Sequence, residues 1–197
     1  MRRILACIFL FAAPLLAQAR FDPSGAAAAA TGPAFEASLG YVYLSMAMPS
    51  QRVGFNGVSA SAHARFTRRW GATLDSTYAH SSNVLSTGYN GNFLSSLVGP
   101  VFYPPVNAKA GIFVRVLAGA SWVDSAVPVN DTSYRGGWAV HPSYAVGGGF
   151  EHSLFGPLTV RAGADYQRTT FVNSTGALQY QNNLRLATSV AYRFRNR

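Results

Sequence analysis

The chain is 197 residues long, the size of a single domain, and combines 49% hydrophobic residues with only 12% charged ones. It carries 16 basic and 7 acidic side chains, and almost all the bases are arginines that recur singly within apolar segments. This spacing argues against the clustered basic face of a nucleic-acid-binding protein.

The first nineteen residues have the pattern of a secretory signal peptide. A basic start, Met1-Arg2-Arg3, precedes an apolar stretch at 4–16 and a small-x-small cleavage motif, Ala17-Gln18-Ala19. The apolar stretch is too short to cross a bilayer as a helix. Cleavage after Ala19 would remove Cys7, which excludes structural disulfides and thiolate metal sites from the mature chain, and would lower its net charge to +7.

Residues 20–34, with an alanine run flanked by Gly, Pro, Ser and Thr, are predicted to be a flexible periplasmic lead-in. From Phe35 onwards apolar and polar residues alternate with a period of two, which indicates β-strands. We predict eight strands, at 35–46, 54–66, 71–80, 93–103, 108–123, 138–151, 158–170 and 182–195.

The connections between these strands alternate in length. Short turns follow the second, fourth and sixth strands, and longer loops, 81–92, 124–137 and 171–181, follow three of the four odd strands. An even strand number with short turns on one side and longer loops on the other is typical of bacterial outer-membrane barrels. The sequence therefore predicts an all-β, eight-stranded antiparallel up-and-down transmembrane β-barrel over 35–197, located in the outer membrane.

The two faces of the strands distinguish this barrel from its structural alternative, a secreted β-sandwich. On the seventh strand Arg161 and Asp165 share one face, whereas Val160 and Tyr166 share the other. A membrane barrel turns its apolar face outward, because lipid is the outer solvent. Small residues on the polar face and aromatics near strand ends favour this orientation. The aromatics expected at the membrane interfaces are Trp70, Tyr103, Trp122, Trp138, Tyr192 and Phe194.

Strand parity also directs charged side chains into the lumen. The predicted inward set consists of Glu36, Arg65, Asp75, Arg115, Glu151, Arg161, Asp165, Arg185 and Arg193, together with His63. Because an isolated buried charge is costly, these residues are expected to form an Arg–carboxylate network that plugs the barrel. Parity does not predict which acid meets which base. A gated ion path or a proton relay remains the functional alternative to a structural plug.

Several segments resemble known families. FTRRWG at 66–71 resembles a turn of OmpA-like small barrels, and AVGGGFEH at 145–152 and VRAGADYQRTTF at 160–171 are similar to outer-membrane-barrel proteins common in acidobacteria. The resemblance implies an eight-stranded outer-membrane barrel of largely unassigned activity. The last strand, with Tyr192 and Phe194, resembles the C-terminal signal read by the barrel-assembly machinery, although Arg195-Asn196-Arg197 follow it.

One short motif raises the question of catalysis. HSSN at 80–83 resembles the His-x-Ser-Asn of lipid A deacylases, with His80 as base and Ser82 as nucleophile. Such chemistry needs a further group to orient the histidine, and no acid follows before Asp124. We therefore interpret the motif as the start of a polar loop and predict no catalytic residue. The scattered histidines lack metal-ligand spacing, and no cofactor is predicted.

The sequence thus predicts a non-enzymatic outer-membrane protein whose role is structural or depends on its loops. The expected partners are outer-membrane lipids, lipopolysaccharide and the assembly machinery, with no nucleic acid and an unknown surface ligand. A narrow porin-like channel and, second, a lipid A deacylase-like hydrolase are the alternatives.

Overall fold

The computed structural model describes residues 34–47, 51–82, 84, 90–104, 110–124, 127–130, 133–135, 137–172 and 178–194. These residues form ten β-strands: β1 (Ala34–Ala47), β2 (Arg52–Arg65), β3 (Trp70–Ser81), β4 (Gly91–Phe102), β5 (Ala110–Asp124), β6 (Val127–Asn130), β7 (Ser133–Arg135), β8 (Trp138–Ser153), β9 (Leu158–Val172) and β10 (Leu178–Arg193). The predicted signal peptide and nearly all of the predicted lead-in lie outside the described residues. None of the described residues belongs to a helix long and apolar enough to cross a membrane.

Eight of the strands close into an antiparallel barrel, in the order β1-β10-β9-β8-β5-β4-β3-β2. Neighbours in the barrel follow one another along the chain, except that β6 and β7 intervene between β5 and β8 and that β1 pairs with β10 to close the ring. The predicted all-β, eight-stranded up-and-down barrel is therefore confirmed.

The strands extend further than predicted at the loop end of the barrel, by which we mean the end where the connections between β1 and β2, β3 and β4, β5 and β8, and β9 and β10 lie. β4 begins at Gly91 rather than residue 93, and β10 begins at Leu178 rather than residue 182. The predicted 124–137 loop contains a two-stranded hairpin of β6 and β7. Hydrogen bonding continues beyond the point where alternation ceases to be visible in the sequence.

The opposite end of the barrel, called the turn end, is where the connections between β2 and β3, β4 and β5, and β8 and β9 lie. Between β2 and β3 the amides of Phe66 and Thr67 donate to the Trp70 carbonyl at 3.0 and 3.1 Å. The Thr67 hydroxyl accepts from the Trp70 amide at 2.9 Å. Between β8 and β9 Gly156 adopts a φ of 56°, the left-handed region that favours glycine.

Glycines permit close strand approach on β8. A β-carbon at Gly149 would overlap the carbonyl oxygen of Ala162 on β9, and one at Gly148 would approach the Phe113 carbonyl on β5. Only glycine fits such contacts without moving a neighbouring strand. The run at 147–149 is therefore a packing feature of a strand, and no helix follows it in the described residues.

Candidate functional site: the lumen and the loop-end rim

Four charged side chains form a closed group in the middle of the lumen, here called the central quartet: Asp75, Arg115, Asp165 and Arg185. Arg115 donates through Nε and Nη2 to the two Asp165 oxygens at 2.9 and 2.7 Å, and through Nη1 to Asp75 at 3.3 Å. Arg185 donates to Asp75 at 2.5 Å and to Asp165 at 3.4 Å. Each carboxylate therefore bridges both arginines, and the quartet is neutral.

A second group lies nearer the turn end and is called the turn-end tier: Glu36, Arg65, Glu151, Arg161 and Arg193. Arg161 donates to Glu36 and, at 3.0 and 3.1 Å, to Glu151. Arg65 donates to Glu151 at 2.8 Å, and Arg193 donates to Glu36 at 2.6 Å. Three guanidiniums share two carboxylates, so this tier carries a formal charge of +1.

Strand parity explains how these residues meet. Asp165 lies opposite Arg185 in the β9–β10 ladder, Glu36 lies opposite Arg193 in the β1–β10 ladder, and Glu151 lies opposite Arg161 in the β8–β9 ladder. Directly opposed residues point to the same side of a sheet. The nine predicted residues thus form two groups of ion pairs, and all except Arg65 and Arg193 are buried.

The interior is not polar throughout, which corrects the sequence-based expectation. At the loop end, inward-facing side chains form an apolar cluster, here called the mouth cluster, which consists of Leu44, Met46, Phe55, Ala79, Val84, Phe93 and Val123, with Val53 packed against it. Further along β4 and β5, Leu97 and Leu117 pack with Ala145, and Val101 packs with Tyr103 and Phe113. A barrel of eight strands has an interior just wide enough to be filled by side chains, and here apolar ones fill much of it.

A small cavity of about 20 Å³ lies between the central quartet and the turn-end tier. Its lining includes Arg115 and Arg185 of the quartet, Arg161 of the tier, and the hydroxyl residues Ser59 and Ser189. This volume accommodates about one water-sized molecule.

Most of the predicted interface aromatics lie on the outer surface. Trp70, Trp138, Tyr192 and Phe194 are each about half exposed, and Trp122 is partly exposed. The prediction for Tyr103 is wrong, because this ring is 7% exposed and faces the lumen, where the Arg65 guanidinium lies 3.8 Å from its centroid. Its position directly after β4 continues the inward parity of Val101.

Three outward tyrosines near the loop end make the same contact with an asparagine on the neighbouring strand. Tyrosine hydroxyls donate to asparagine side-chain oxygens in the pairs Tyr41–Asn56 at 2.5 Å, Tyr78–Asn92 at 3.0 Å and Tyr166–Asn182 at 2.6 Å. Each pair joins the two strands of one loop-end hairpin. Tyrosine combines an apolar ring with a polar tip, which suits the boundary between hydrocarbon and water.

His80, the histidine of the HSSN motif, also lies on the outward side of the strands near the loop end, here called the outer rim. His80 Nδ1 lies 2.9 Å from Asn92 Oδ1, and Asn92 Nδ2 donates to Asp124 at 3.3 Å. These three residues are directly opposed across β3, β4 and β5. The sequence did not reveal this chain of hydrogen bonds, because Asp124 is distant from His80 in sequence and becomes adjacent to Asn92 only through the strand register.

The side-chain amide of Asn92 determines which ring nitrogen of His80 carries the proton in the neutral imidazole. Asn92 uses its nitrogen as a donor to Asp124 and its oxygen as an acceptor from Tyr78, so that oxygen also accepts from His80 Nδ1. In neutral imidazole the other nitrogen, Nε2, then carries the lone pair. Among the described residues no three His, Cys, Asp or Glu side chains group as metal ligands.

Sequence comparison finds no matching family model and no matching curated relative. Fold comparison finds similarity to Neisserial surface protein A, at 11% identity and a TM-score of 0.66, over 83% of this chain and 99% of that chain. Ail, the attachment invasion locus protein of Yersinia pestis, is similar at 15% identity and a TM-score of 0.58, over the same shares of the two chains. A major outer membrane protein from Thermus thermophilus is similar at 12% identity and a TM-score of 0.58, over 82% of this chain and 99% of that chain. At such identities the likeness is one of fold.

Proposed function

We propose that this chain, which has the fold of the OmpA-like eight-stranded outer-membrane barrels, is an integral outer-membrane protein with a plugged lumen that holds its loops at the cell surface. The central quartet, the turn-end tier and the mouth cluster close the lumen, and the strands anchor the loops. The role is structural or one of surface interaction.

The observation that carries this proposal is the inverted distribution of polarity. Outward side chains midway along the strands are apolar and exposed, including Leu39 at 66% and Val98 at 57%, whereas the inward Arg185 is 0% exposed. In water this arrangement would expose a broad apolar surface around the whole barrel while burying charge. In a bilayer the same arrangement is favourable, because closure of the barrel pairs the backbone groups and lipid covers the apolar belt.

A closed lumen is favoured over a porin-like channel by two features. The central quartet joins inward side chains of β3, β5, β9 and β10 across the lumen, and the mouth cluster packs fully buried apolar side chains, such as Phe55 and Phe93, at the loop end. An open aqueous channel requires a wider barrel. In planar bilayers we expect no steady conductance from the purified protein, and a reproducible single-channel current would contradict the plug.

The membrane location is tested by fractionation and by a heat-modifiability gel. The folded protein should be recovered in the outer-membrane fraction and should migrate faster before boiling than after. Val98→Arg places a charge in the proposed lipid belt and should reduce the folded fraction, with a cost of about 2–4 kcal/mol if it lies near the midplane. Phe155→Arg, in the exposed β8–β9 turn, is the matched control and should cost about 1 kcal/mol or less.

A water-soluble protein would give the opposite result. If Val98 faced water, arginine would be harmless there, and the protein would stay monodisperse in buffer without detergent.

The loops are proposed to contact anionic surface molecules, including lipopolysaccharide. Arg52, exposed at the start of β2, supports this idea because no described acid pairs with it: it donates to the Ser45 hydroxyl and carbonyl and to the Asn182 carbonyl. Ail, which shares the fold, has been crystallised with the heparin analogue sucrose octasulfate. Binding of purified lipopolysaccharide should weaken in Arg52→Gln and should be unchanged in Arg68→Gln, which lies at the turn end.

A hydrolase acting on lipid acyl chains is the second candidate, and the His80–Asn92–Asp124 chain favours it. Asn92 orients His80 so that Nε2 is available as a base, and Ser82 lies two residues after His80, directly beyond β3. The site would lie beside the outer leaflet. Mass spectrometry of lipid A should show one acyl chain fewer with the wild type than with His80→Ala. His152→Ala, at the turn end, is the matched control, and identical lipid A from all three strains would exclude this activity.

A further inference from the structure

The cavity between the central quartet and the turn-end tier is lined by three buried arginines. It is contacted from one side by Arg115 and Arg185 of the central quartet and from the other side by Arg161 of the turn-end tier. Both Arg161 and Arg185 are more than nine-tenths buried.

The charges around the cavity do not cancel. The central quartet is neutral, whereas the turn-end tier has three arginines for two glutamates. Arginine does not lose its proton in proteins, so the excess cannot be removed by deprotonation. Part of this excess lies on Arg193, which is 43% exposed to water, but Arg161 is buried, and a counterion beside it lowers the cost of holding its charge away from water.

Donors on the cavity lining also lack acceptors. Arg161 Nη1 and Arg185 Nε are buried nitrogens that have no hydrogen-bond partner among the described residues. Both belong to residues that line the cavity, as do the hydroxyls of Ser59, Ser61 and Ser189, which can each turn a proton toward an acceptor. The Asp75 carboxylate at the lining is already engaged by both arginines of the quartet.

We propose that this cavity binds one small monovalent anion, of the size of chloride, between Arg161 and Arg185. The excess positive charge selects an anion over a cation. The volume of about 20 Å³ corresponds to about one water-sized occupant, which suits a single atom-sized ion. The anion offsets the excess charge of the turn-end tier and accepts hydrogen bonds from Arg161 and Arg185. The site is independent of what the loops bind.

The first test is crystallographic. Crystals of the detergent-solubilised protein grown in sodium bromide should show one anomalous peak in the lumen, within hydrogen-bonding distance of Arg161 Nη1. Absence of a lumenal bromide peak would overturn the proposal.

The second test measures stability in solution. The temperature at which half of the fast-migrating folded form is lost should rise with chloride or bromide and then saturate, relative to sodium gluconate at equal ionic strength. At tenfold above the dissociation constant, the rise should be roughly 3–6 °C. An equal midpoint in halide and gluconate would contradict the site.

Two variants separate the site from general salt effects. Ala187 lines the cavity, so Ala187→Val fills it without removing an ion pair and should abolish the halide response. Ala60→Val makes the same change on the lipid-facing side of β2 and should keep the response. Arg161→Gln should also abolish it, and if that variant does not fold, Ala187→Val carries the test. A full halide response in Ala187→Val would overturn the proposal.

Discussion

The central quartet and the turn-end tier use the same chemistry in different surroundings. In the quartet, two arginines and two aspartates balance one another's charge, and Arg185 is wholly removed from solvent. In the turn-end tier, three arginines share two glutamates, and the Arg193 side chain remains 43% exposed. The deep group is balanced, whereas the group near water tolerates an excess charge.

The difference indicates what each group contributes. Removing one partner from a buried, balanced network leaves a charge that water cannot reach, whereas removing one from a half-exposed group leaves a charge that water can solvate. We therefore expect substitutions in the quartet to lower the free energy of unfolding more than substitutions in the turn-end tier. Four predictions test this contrast, from the largest expected effect to the smallest.

Asp165→Asn should give the largest effect. It removes the carboxylate that accepts two bonds from Arg115 and one from Arg185, and leaves both guanidiniums sharing Asp75. We expect a loss of about 3–5 kcal/mol in the free energy of unfolding, measured by urea titration with the gel shift as readout. Asp124→Asn, on the outer rim, is the control. A cost below that of the turn-end variants would contradict the contrast.

Glu151→Gln should have an intermediate effect. It weakens the bonds from Arg65 and Arg161, but Arg65 is partly exposed and also stacks on Tyr103. A loss of about 1.5–3 kcal/mol is expected, since these hydrogen bonds involve charged groups. The same urea titration measures it, and raised salt should lessen the difference from wild type because part of the tier is accessible to ions.

Arg193→Gln should have the smallest effect among the single variants. Its guanidinium is substantially solvated, and Glu36 keeps its bond from Arg161 when Arg193 is replaced. The loss should not exceed about 1 kcal/mol. A loss as large as that of Asp165→Asn would show that exposure does not separate the two groups.

The double variant Asp165→Asn/Arg193→Gln should show almost no coupling. Arg185 and Arg193 are eight residues apart on β10, which corresponds to about 26 Å, and the two groups share no residue. The cost of the double variant should equal the sum of the single costs within about 0.5 kcal/mol. A larger deviation would mean that the two groups act as one network.

Local alternation was sufficient to predict the barrel and the side to which most charges point. Arg161, Asp165 and Arg185 sit in strands whose opposite faces are clearly apolar, so their parity is unambiguous in the sequence. Tyr103 was misplaced because aromatic residues near strand ends occur on both faces, and only the continued parity of β4 distinguishes them.

Pairing between distant strands could not be predicted. The contact of Arg115 with Asp75, or of His80 with Asn92 and Asp124, depends on the register of several ladders and on barrel closure. The apolar mouth cluster was missed for a related reason. Leu44 and Phe55 occur in strands where both faces carry apolar residues, so alternation does not reveal which residues face inward.

The pairing of β1 with β10 has a consequence for biogenesis. Ten residue pairs join these strands, and Glu36 is linked to Arg193 across a sequence separation of 157 residues. Until β10 pairs with β1, the first and last strands of the growing sheet each present an unpaired hydrogen-bonding edge that could recruit a foreign strand. Such long-range closure is slow, so these edges stay exposed until late in folding, and the Glu36–Arg193 contact forms only when β1 and β10 pair.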